Sequence, residues 1–100
     1  MGAKPYPRIE LHPRCKRLGE LFRQERLSRG WTLTDLAERT GYSRQTHRDI
    51  EEGRIPANSD IESRLEDAFG KPMWTFWQTV FREEAGLAPS PRQDPAVARS

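Results

Sequence analysis

The 100-residue sequence has little cysteine, few aliphatic residues and no long apolar run. Its single cysteine, Cys15, excludes an internal disulfide framework and is typical of a reducing compartment. No apolar segment approaches the roughly 18 residues that a transmembrane helix requires, and no secretory apolar segment follows Met1. The sequence therefore predicts a cytoplasmic protein that does not enter a membrane.

The sequence also lacks the common signatures of catalysis. It has no G-x-x-x-x-G-K-[ST] phosphate loop, no H-E-x-x-H zinc helix and no nucleophile paired with a base. His12 and Cys15 form half of a zinc-binding pattern, but the chain has only one other histidine and no other cysteine. We therefore expect no enzyme activity, no metal site and no cofactor.

Charge is distributed unevenly along the chain. Residues 1–30 carry eight basic and three acidic residues, whereas residues 31–70 carry five basic and nine acidic residues. Arginine outnumbers lysine fourteen to three, and arginine is the better bidentate donor to phosphate and guanine. The net charge of +2 thus hides an acidic middle. If the chain binds nucleic acid, we expect the part of its affinity that is independent of base sequence to be modest.

Prolines cluster at the two ends of the chain. Six of the eight lie before residue 14 or after residue 88, where periodic apolar residues are scarce. We predict a flexible, basic, proline-rich arm over residues 1–13, a folded domain over 14–85 and a disordered tail over 86–100. The folded part is long enough for one small domain with a marginal core.

Capping residues and glycines divide the folded part into five helices, and no segment alternates like a strand. The predicted helices span about 15–29, start at Thr32, Ser43 and Ser59, and span about 73–84. Asp35 follows Thr32, and Glu62 follows Ser59, at the spacing of a capping box. The residues expected to face the core include Leu18, Leu21, Phe22, Leu33, Leu36, Ala37, Ile50, Ile61, Leu65, Ala68 and Phe69. The predicted fold class is all-α.

The second and third helices are joined by Thr40-Gly41-Tyr42, a short turn with glycine at its bend, which is typical of a helix-turn-helix unit. The pattern around this turn comprises Arg26, Gly30, Thr32, Leu36-Ala37, Ser43, Ile50-Glu51-x-Gly53 and Pro56. Together these residues resemble the phage repressor/Cro (XRE-type) helix-turn-helix family over residues 18–70, with segments GYSRQT and LEDAFG most similar to actinobacterial members. The resemblance implies a compact five-helix, lambda-repressor-like DNA-binding domain.

The resemblance also implies a function, that of a sequence-specific transcription regulator. The simplest such regulator is a repressor that binds an inverted-repeat operator as a homodimer, in a bacterial or phage-encoded setting at the nucleoid. Residues one, two and six after the cap read bases in this family, which here are Arg44, Gln45 and Asp49. Helical spacing with Ile50 facing inward adds Arg48 to the outward face. The expected partner is double-stranded DNA, contacted in its major groove.

Contacts to the DNA backbone are expected at helix N-termini and at basic residues. The predicted backbone-contacting residues are Arg14, Lys16, Arg17, Thr32, Ser43, Thr46 and Arg54. The resemblance further implies an ion pair between Arg26 and Glu51 that is structural rather than catalytic.

Three positions depart from the family pattern, and the first is Glu25, which stands where a core leucine is common. Leu33 stands where many phage repressors carry a phosphate-contacting glutamine. His47 stands where isoleucine or valine is usual, and we interpret it as packed at the helix edge with a ring nitrogen at the surface. The alternative for His47 is a pH or ligand sensor.

The fifth helix is rich in aromatic residues. Its apolar side chains cover a wider arc than the roughly 100° stripe that a core contact needs. The excess predicts either a dimer seam, with Trp74, Trp77 and Phe81 as candidates, or the closure of a core short of aliphatic residues. A second function stays open, namely a protein-interaction module, antitoxin-like or specific for a sigma factor or another regulator, that uses helix 73–84.

Overall fold

Five helices follow one another in the computed structural model, which describes residues 10–86. They are α1 (Pro13–Ser28), α2 (Leu33–Thr40), α3 (Arg44–Glu51), α4 (Ser59–Phe69) and α5 (Met73–Glu84). No strand occurs within the described residues, and the all-α prediction is confirmed. Residues 1–9 of the predicted arm and 87–100 of the predicted tail lie outside the described residues.

Side-chain caps fix where α2 and α3 begin. The Thr32 hydroxyl accepts the Asp35 backbone N–H at 3.0 Å, and the Asp35 carboxylate accepts the Thr32 N–H at 2.8 Å, which completes a capping box. The Ser43 hydroxyl accepts the Thr46 backbone N–H at 3.1 Å. Two of the four orphan amides at the start of α2, and one at α3, are therefore satisfied within the chain.

The cap of α4 differs from the one that the sequence spacing favoured. Ser59 is the first helical residue, and the Asn58 side chain accepts the Ile61 backbone N–H at 2.8 Å. The spacing of Ser59 and Glu62 therefore does not mark a capping box. Asparagine and serine are equally good caps, so residue type alone does not choose between neighbouring candidates.

The core lies where α1, α4 and α5 meet the inner faces of α2 and α3. α1 contacts α3 and α5, α2 contacts α3 and α4, and α4 contacts α5. The Phe22 and Phe76 rings meet edge to face at 5.2 Å, a favourable arrangement for aromatic pairs. The buried apolar residues are Leu18, Phe22, Leu36, Ile50, Ile61, Leu65, Phe69, Met73, Phe76 and Val80.

Two glycines position α3 against the rest of the domain. Gly41 has a φ of 86°, a left-handed conformation that ends α2 and turns the chain into α3. Gly19 lies in α1 directly against the backbone carbonyl of Ile50, where a Cβ atom would collide with it. The absence of a side chain at Gly19 lets α1 and the end of α3 approach closely.

The five helices are too short or too polar to cross a bilayer, so residues 10–86 contain no candidate membrane span.

Candidate nucleic-acid interface

The two faces of α3 differ sharply in exposure. On the inner face, His47, Ile50 and Glu51 are buried. On the outer face, Arg44, Gln45 and Arg48 are exposed to solvent. The structure therefore brings three of the four predicted base-reading residues to one solvent-facing side. An exposed polar helix face of this kind is what direct readout in the major groove requires.

The exposed face of α3 borders a concave surface that also includes the start of α2. This α2–α3 groove has a volume of about 380 Å³ and is lined by Thr32, Leu33, Thr34, Arg44, Gln45 and Arg48. Two helix N-termini and two guanidinium groups meet there, and both features favour anions. Leu33 is half-buried rather than buried, because it occupies the first turn of α2 at the edge of the domain.

The fourth predicted base-reading residue, Asp49, is held by its neighbours. The Gln45 side-chain amide donates to the Asp49 carboxylate at 2.9 Å, and Arg54 lies 3.8 Å from the same carboxylate. Asp49 is half-buried, and its backbone carbonyl accepts the Arg54 N–H at 2.8 Å. These contacts orient Gln45 along the helix before any ligand is present.

Two arginines predicted to contact the DNA backbone are engaged elsewhere in the domain. Arg14 pairs with Glu84 at 2.8 Å and lies 4.8 Å from the centre of the Phe81 ring. Arg17 pairs with Glu83 at 2.8 Å, and this contact holds the pKa of Glu83 below its ordinary value. Both guanidinium groups thus connect α1 to the end of α5, and phosphate would have to displace a carboxylate to reach them.

Lys16 and Arg54 lie close to each other on the surface of the domain. The Lys16 side chain packs beside Gly53, and Lys16 and Arg54 line a common depression with Cys15 and Pro56. Arg54 forms an ion pair with Glu52 at 3.1 Å. These two cations therefore share the surface around the α3–α4 loop.

The three predicted hydroxyl contacts are all helix caps or lie next to one. Thr32 and Ser43 are exposed and accept backbone amides at the starts of α2 and α3. Thr46 is half-buried, with its hydroxyl 3.0 Å from that of Ser43.

The structure brings Arg26 and Glu51 together beneath the interface. Arg26 Nε donates to Glu51 Oε2 at 2.8 Å and Arg26 Nη2 donates to Oε1 at 2.9 Å, a bidentate geometry. Arg26 Nη1 also donates to the Trp31 carbonyl at 2.9 Å. Because the two side chains are 9% and 4% exposed, the pair joins α1 to α3 in an environment with little water.

His47 corrects the interpretation drawn from the sequence. Its side chain is 2% exposed, and Nε2 lies 2.6 Å from the Thr40 hydroxyl oxygen. The ring therefore bridges the end of α2 to α3, and burial lowers its pKa against the opposing influence of Glu51. The expectation of a surface nitrogen is wrong because the Gly41 turn folds Thr40 over the ring.

Sequence reasoning missed the residues that hold the turn from the α4 side. Arg64 Nη1 donates to the Thr40 carbonyl at 3.0 Å, and the Tyr42 hydroxyl donates to Asp60 at 2.6 Å. Asp60 and Arg64 also pair with each other, at the i,i+4 spacing that could have drawn attention to them. These contacts fix the end of α2 and the turn to α4.

Arg23 is a further surface residue that the sequence patterns did not identify as part of the candidate site. This exposed residue of α1 borders a second concave surface, the α1–α3 groove of about 220 Å³. Arg23 precedes Arg26 by three residues, so helical spacing alone places both on neighbouring parts of one face. The lining of the α1–α3 groove comprises Arg23, Arg26, Leu33, Arg48, Glu51 and Glu52.

The aromatic residues of α5 divide between the core and the surface. Phe76 is buried, and Trp77 is half-buried against the core. Trp74 and Phe81 are 62% and 48% exposed. Trp77 and Phe81 lie 5.9 Å apart, so the exposed ring continues from the half-buried one. The helix thus closes the core and leaves an aromatic strip facing solvent.

Within residues 10–86, no three histidine, cysteine, aspartate or glutamate side chains are placed to share a metal ion.

Comparison with known proteins identifies the class of this domain. Residues 17–70 match the helix-turn-helix domain family, and because they make up more than half of the chain, the chain belongs to that family. A protein of Halorubrum lacusprofundi, named as an HTH-type transcriptional regulatory protein, is 41% identical over 54 residues. That match covers 54% of this chain, and the chain spans only 16% of that relative's length.

Solved structures show the same fold. The clp gene regulator ClgR from Corynebacterium glutamicum is similar with a TM-score of 0.67 at 24% identity, over 75% of this chain and 80% of that one. A second structure of ClgR gives a TM-score of 0.65 at 24% identity, over 72% of this chain and 94% of that one. The family match shows a helix-turn-helix domain, and the likeness to ClgR shows that its five helices adopt the all-α fold of that regulator.

Proposed function

We propose that this chain is a sequence-specific DNA-binding transcription regulator that places α3 in the major groove. The observation that carries the proposal is the exposed cluster of Arg44, Gln45 and Arg48, which lies beside the N-terminus of α2. Arginine can donate two hydrogen bonds to guanine and glutamine can pair with adenine. The class of activity is therefore binding, with no chemical step assigned to any residue.

The buried contacts behind α3 support this role. The Arg26–Glu51 ion pair and the hydrogen bond between His47 and Thr40 hold the helix from beneath. A reading helix held in this way loses less conformational entropy on binding, because its side chains extend from a fixed backbone.

Backbone contacts would flank the reading helix. We assign them first to the starts of α2 and α3, at Thr32, Ser43 and Thr46, and to Lys16 and Arg54 near the α3–α4 loop. Arg14 and Arg17 would join only if phosphate displaced the glutamates of α5. Such contacts fix the register of the protein on the duplex without reading its sequence.

The finer assignment is a repressor of the phage repressor/Cro (XRE) type, in its actinobacterial form, located in the cytoplasm at the nucleoid. It would act as a homodimer on an inverted repeat with half-sites one helical turn, about 34 Å, apart. The exposed aromatic strip of α5 supports dimerisation, since aromatic side chains are enriched at protein interfaces. Occupying an operator is the simplest mode of action for such a domain.

Selection of bound duplexes from a random pool tests the proposal. We expect a palindromic consensus, with guanine or adenine at positions that α3 reaches. Changing Arg44 to Ala should then weaken binding to the consensus site by about 1–3 kcal/mol and relax the preference at one base pair.

The matched control for this change is Lys71→Ala, because Lys71 pairs with Glu25 on a different side of the domain. Equal sequence preference in wild type and Arg44→Ala would refute the base-reading assignment. A pool that yields no enriched sequence would refute sequence-specific binding itself.

A second candidate function is a protein-interaction module that uses α5. Trp74 and Phe81 favour it, because both expose large apolar surfaces. The salt dependence of binding to random duplex DNA separates the two candidates. Phosphate neutralisation weakens steeply as salt rises, whereas no duplex binding at low salt would favour the interaction module.

A further inference from the structure

Arg23 lies on the same side of the domain as the proposed reading helix. It borders the α1–α3 groove with Arg48 and Leu33, and those two residues also border the α2–α3 groove. The two grooves are therefore adjacent, with Arg44 at one side and Arg23 at the other. This surface is continuous although its residues come from three helices.

The charges in the α1–α3 groove leave Arg23 and Arg48 without a carboxylate partner. Arg26 is matched by Glu51 in a bidentate pair, and Glu52 is held by Arg54 at 3.1 Å. Neither Arg23 nor Arg48 takes part in an ion pair formed within residues 10–86. The groove thus presents two arginines that are available to an anion.

The geometry points to Arg23 as a phosphate-binding residue that extends the DNA-binding surface from α3 onto α1. The major groove is about 12 Å wide, so side chains beside an inserted helix meet the sugar-phosphate strands that flank it. Arg23 stands at such a flank, because Arg48 and Leu33 separate it from Arg44 and Gln45. This inference rests on the proposed function and adds a contact that reads no base.

The variant Arg23→Gln tests this role through the salt dependence of duplex binding. Losing one phosphate contact should make the negative slope of log K against log salt shallower by about 0.9. This change in slope corresponds to about eightfold weaker binding of the variant than of wild type at 0.1 M salt. The loss should be equal for the selected site and for random duplex DNA, because a phosphate contact carries no base preference.

Two variants make the measurement specific. Lys71→Gln removes the same charge from a residue paired with Glu25, which lies two positions along α1 from Arg23 and on another face. It should leave the slope unchanged. Arg23→Lys should restore the slope, since a point charge suffices to release counterions.

The outcomes separate this inference from the proposed function. If wild type shows no salt-dependent duplex binding, the proposed function fails. If wild type binds and Arg23→Gln keeps the full slope, or changes the base preference, the phosphate role of Arg23 is wrong. Thermal unfolding of each variant is followed in parallel, and an unchanged midpoint is expected because Arg23 is exposed.

Discussion

At the scale of single residues, the buried ion pair between Arg26 and Glu51 joins α1 to α3, the helix proposed to read bases. Both carboxylate oxygens of Glu51 accept hydrogen bonds from Arg26, so each buried charge is compensated by the other. A buried pair of this kind adds little net stability, because its desolvation offsets its attraction. Breaking it, however, leaves one charge buried without a partner.

Arg26→Ala should therefore lower the free energy of unfolding by about 3–5 kcal/mol, since Glu51 would remain buried and uncompensated. Urea denaturation measures the change. The double variant Arg26→Met with Glu51→Leu should recover most of the loss, because an apolar pair of similar volume replaces the charges. A loss below about 1 kcal/mol for the single change would show that water reaches Glu51.

His47 makes the stability depend on pH. Burial lowers its pKa in the folded chain below the ordinary 6.5, so the unfolded chain binds a proton more readily. The free energy of unfolding should therefore fall as pH drops below about 6.5, by at most about 1.4 kcal/mol per pH unit. Urea denaturation at pH 7.5 and at pH 5.5 measures this slope.

His47→Gln supplies the reference for this measurement. It keeps a polar group near Thr40 but cannot take up a proton in this range, so its slope should be flatter than that of wild type. Asp60, Glu83 and Glu84 have lowered pKa values and lose their stabilising effect only at more acidic pH. Identical slopes in both proteins would mean that His47 titrates alike in the folded and unfolded chains.

At the scale of elements, capping chemistry decides where each helix begins. The pattern of Thr32, Asp35 and Ser43 located α2 and α3 from the sequence, because a side-chain oxygen and an amide three residues on form a local contact. The sequence pattern placed the cap of α4 at Ser59, one residue after the true cap at Asn58, because both residue types are good caps. Which of the two accepts an amide depends on the path of the loop before α4.

Asn58→Ala should lower the free energy of unfolding by about 1 kcal/mol, because the Ile61 backbone N–H loses its acceptor. Ser59→Ala is the paired control and should change it by less than about 0.5 kcal/mol, since Ser59 is already helical and exposed. Thermal or urea unfolding compares the two. A larger effect at Ser59 would move the cap by one residue.

At the scale of the whole molecule, the ion pairs between helices decide which arginines are available to a ligand. Arg14 and Arg17 are held by glutamates of α5, whereas Arg44 and Arg48 are in no ion pair within the described part of the chain. The composition gives the number of arginines but does not distinguish those in ion pairs from those without one. A carboxylate distant in sequence neutralises an arginine only when the fold brings the two together.

The exposed aromatic strip of α5 is the surface that the proposed homodimer would bury. Trp74→Glu should convert a homodimer to a monomer, because it places a charge in an apolar seam. Sedimentation equilibrium measures the mass, and affinity for an inverted repeat should fall while affinity for one half-site stays the same. Leu27→Glu, at an exposed apolar residue of α1, should change neither property.

Two results would contradict this seam. A Trp74→Glu protein that remains dimeric would place the interface elsewhere on the domain. A wild-type protein that is monomeric at all concentrations would remove the homodimer from the proposed function, although a monomeric α5 could still bind another protein.

Local sequence patterns were enough to predict the five helices, the turn at Gly41 and the exposure of Arg44, Gln45 and Arg48 on α3. These features depend on helical period, capping and backbone conformation, which act over a few residues. The fold was needed to show that His47 is buried against Thr40, that Asn58 caps α4 and that Arg23 and Arg48 line one groove. Burial and charge pairing depend on which surfaces meet, and α1, α3 and α5 meet only once the chain has folded.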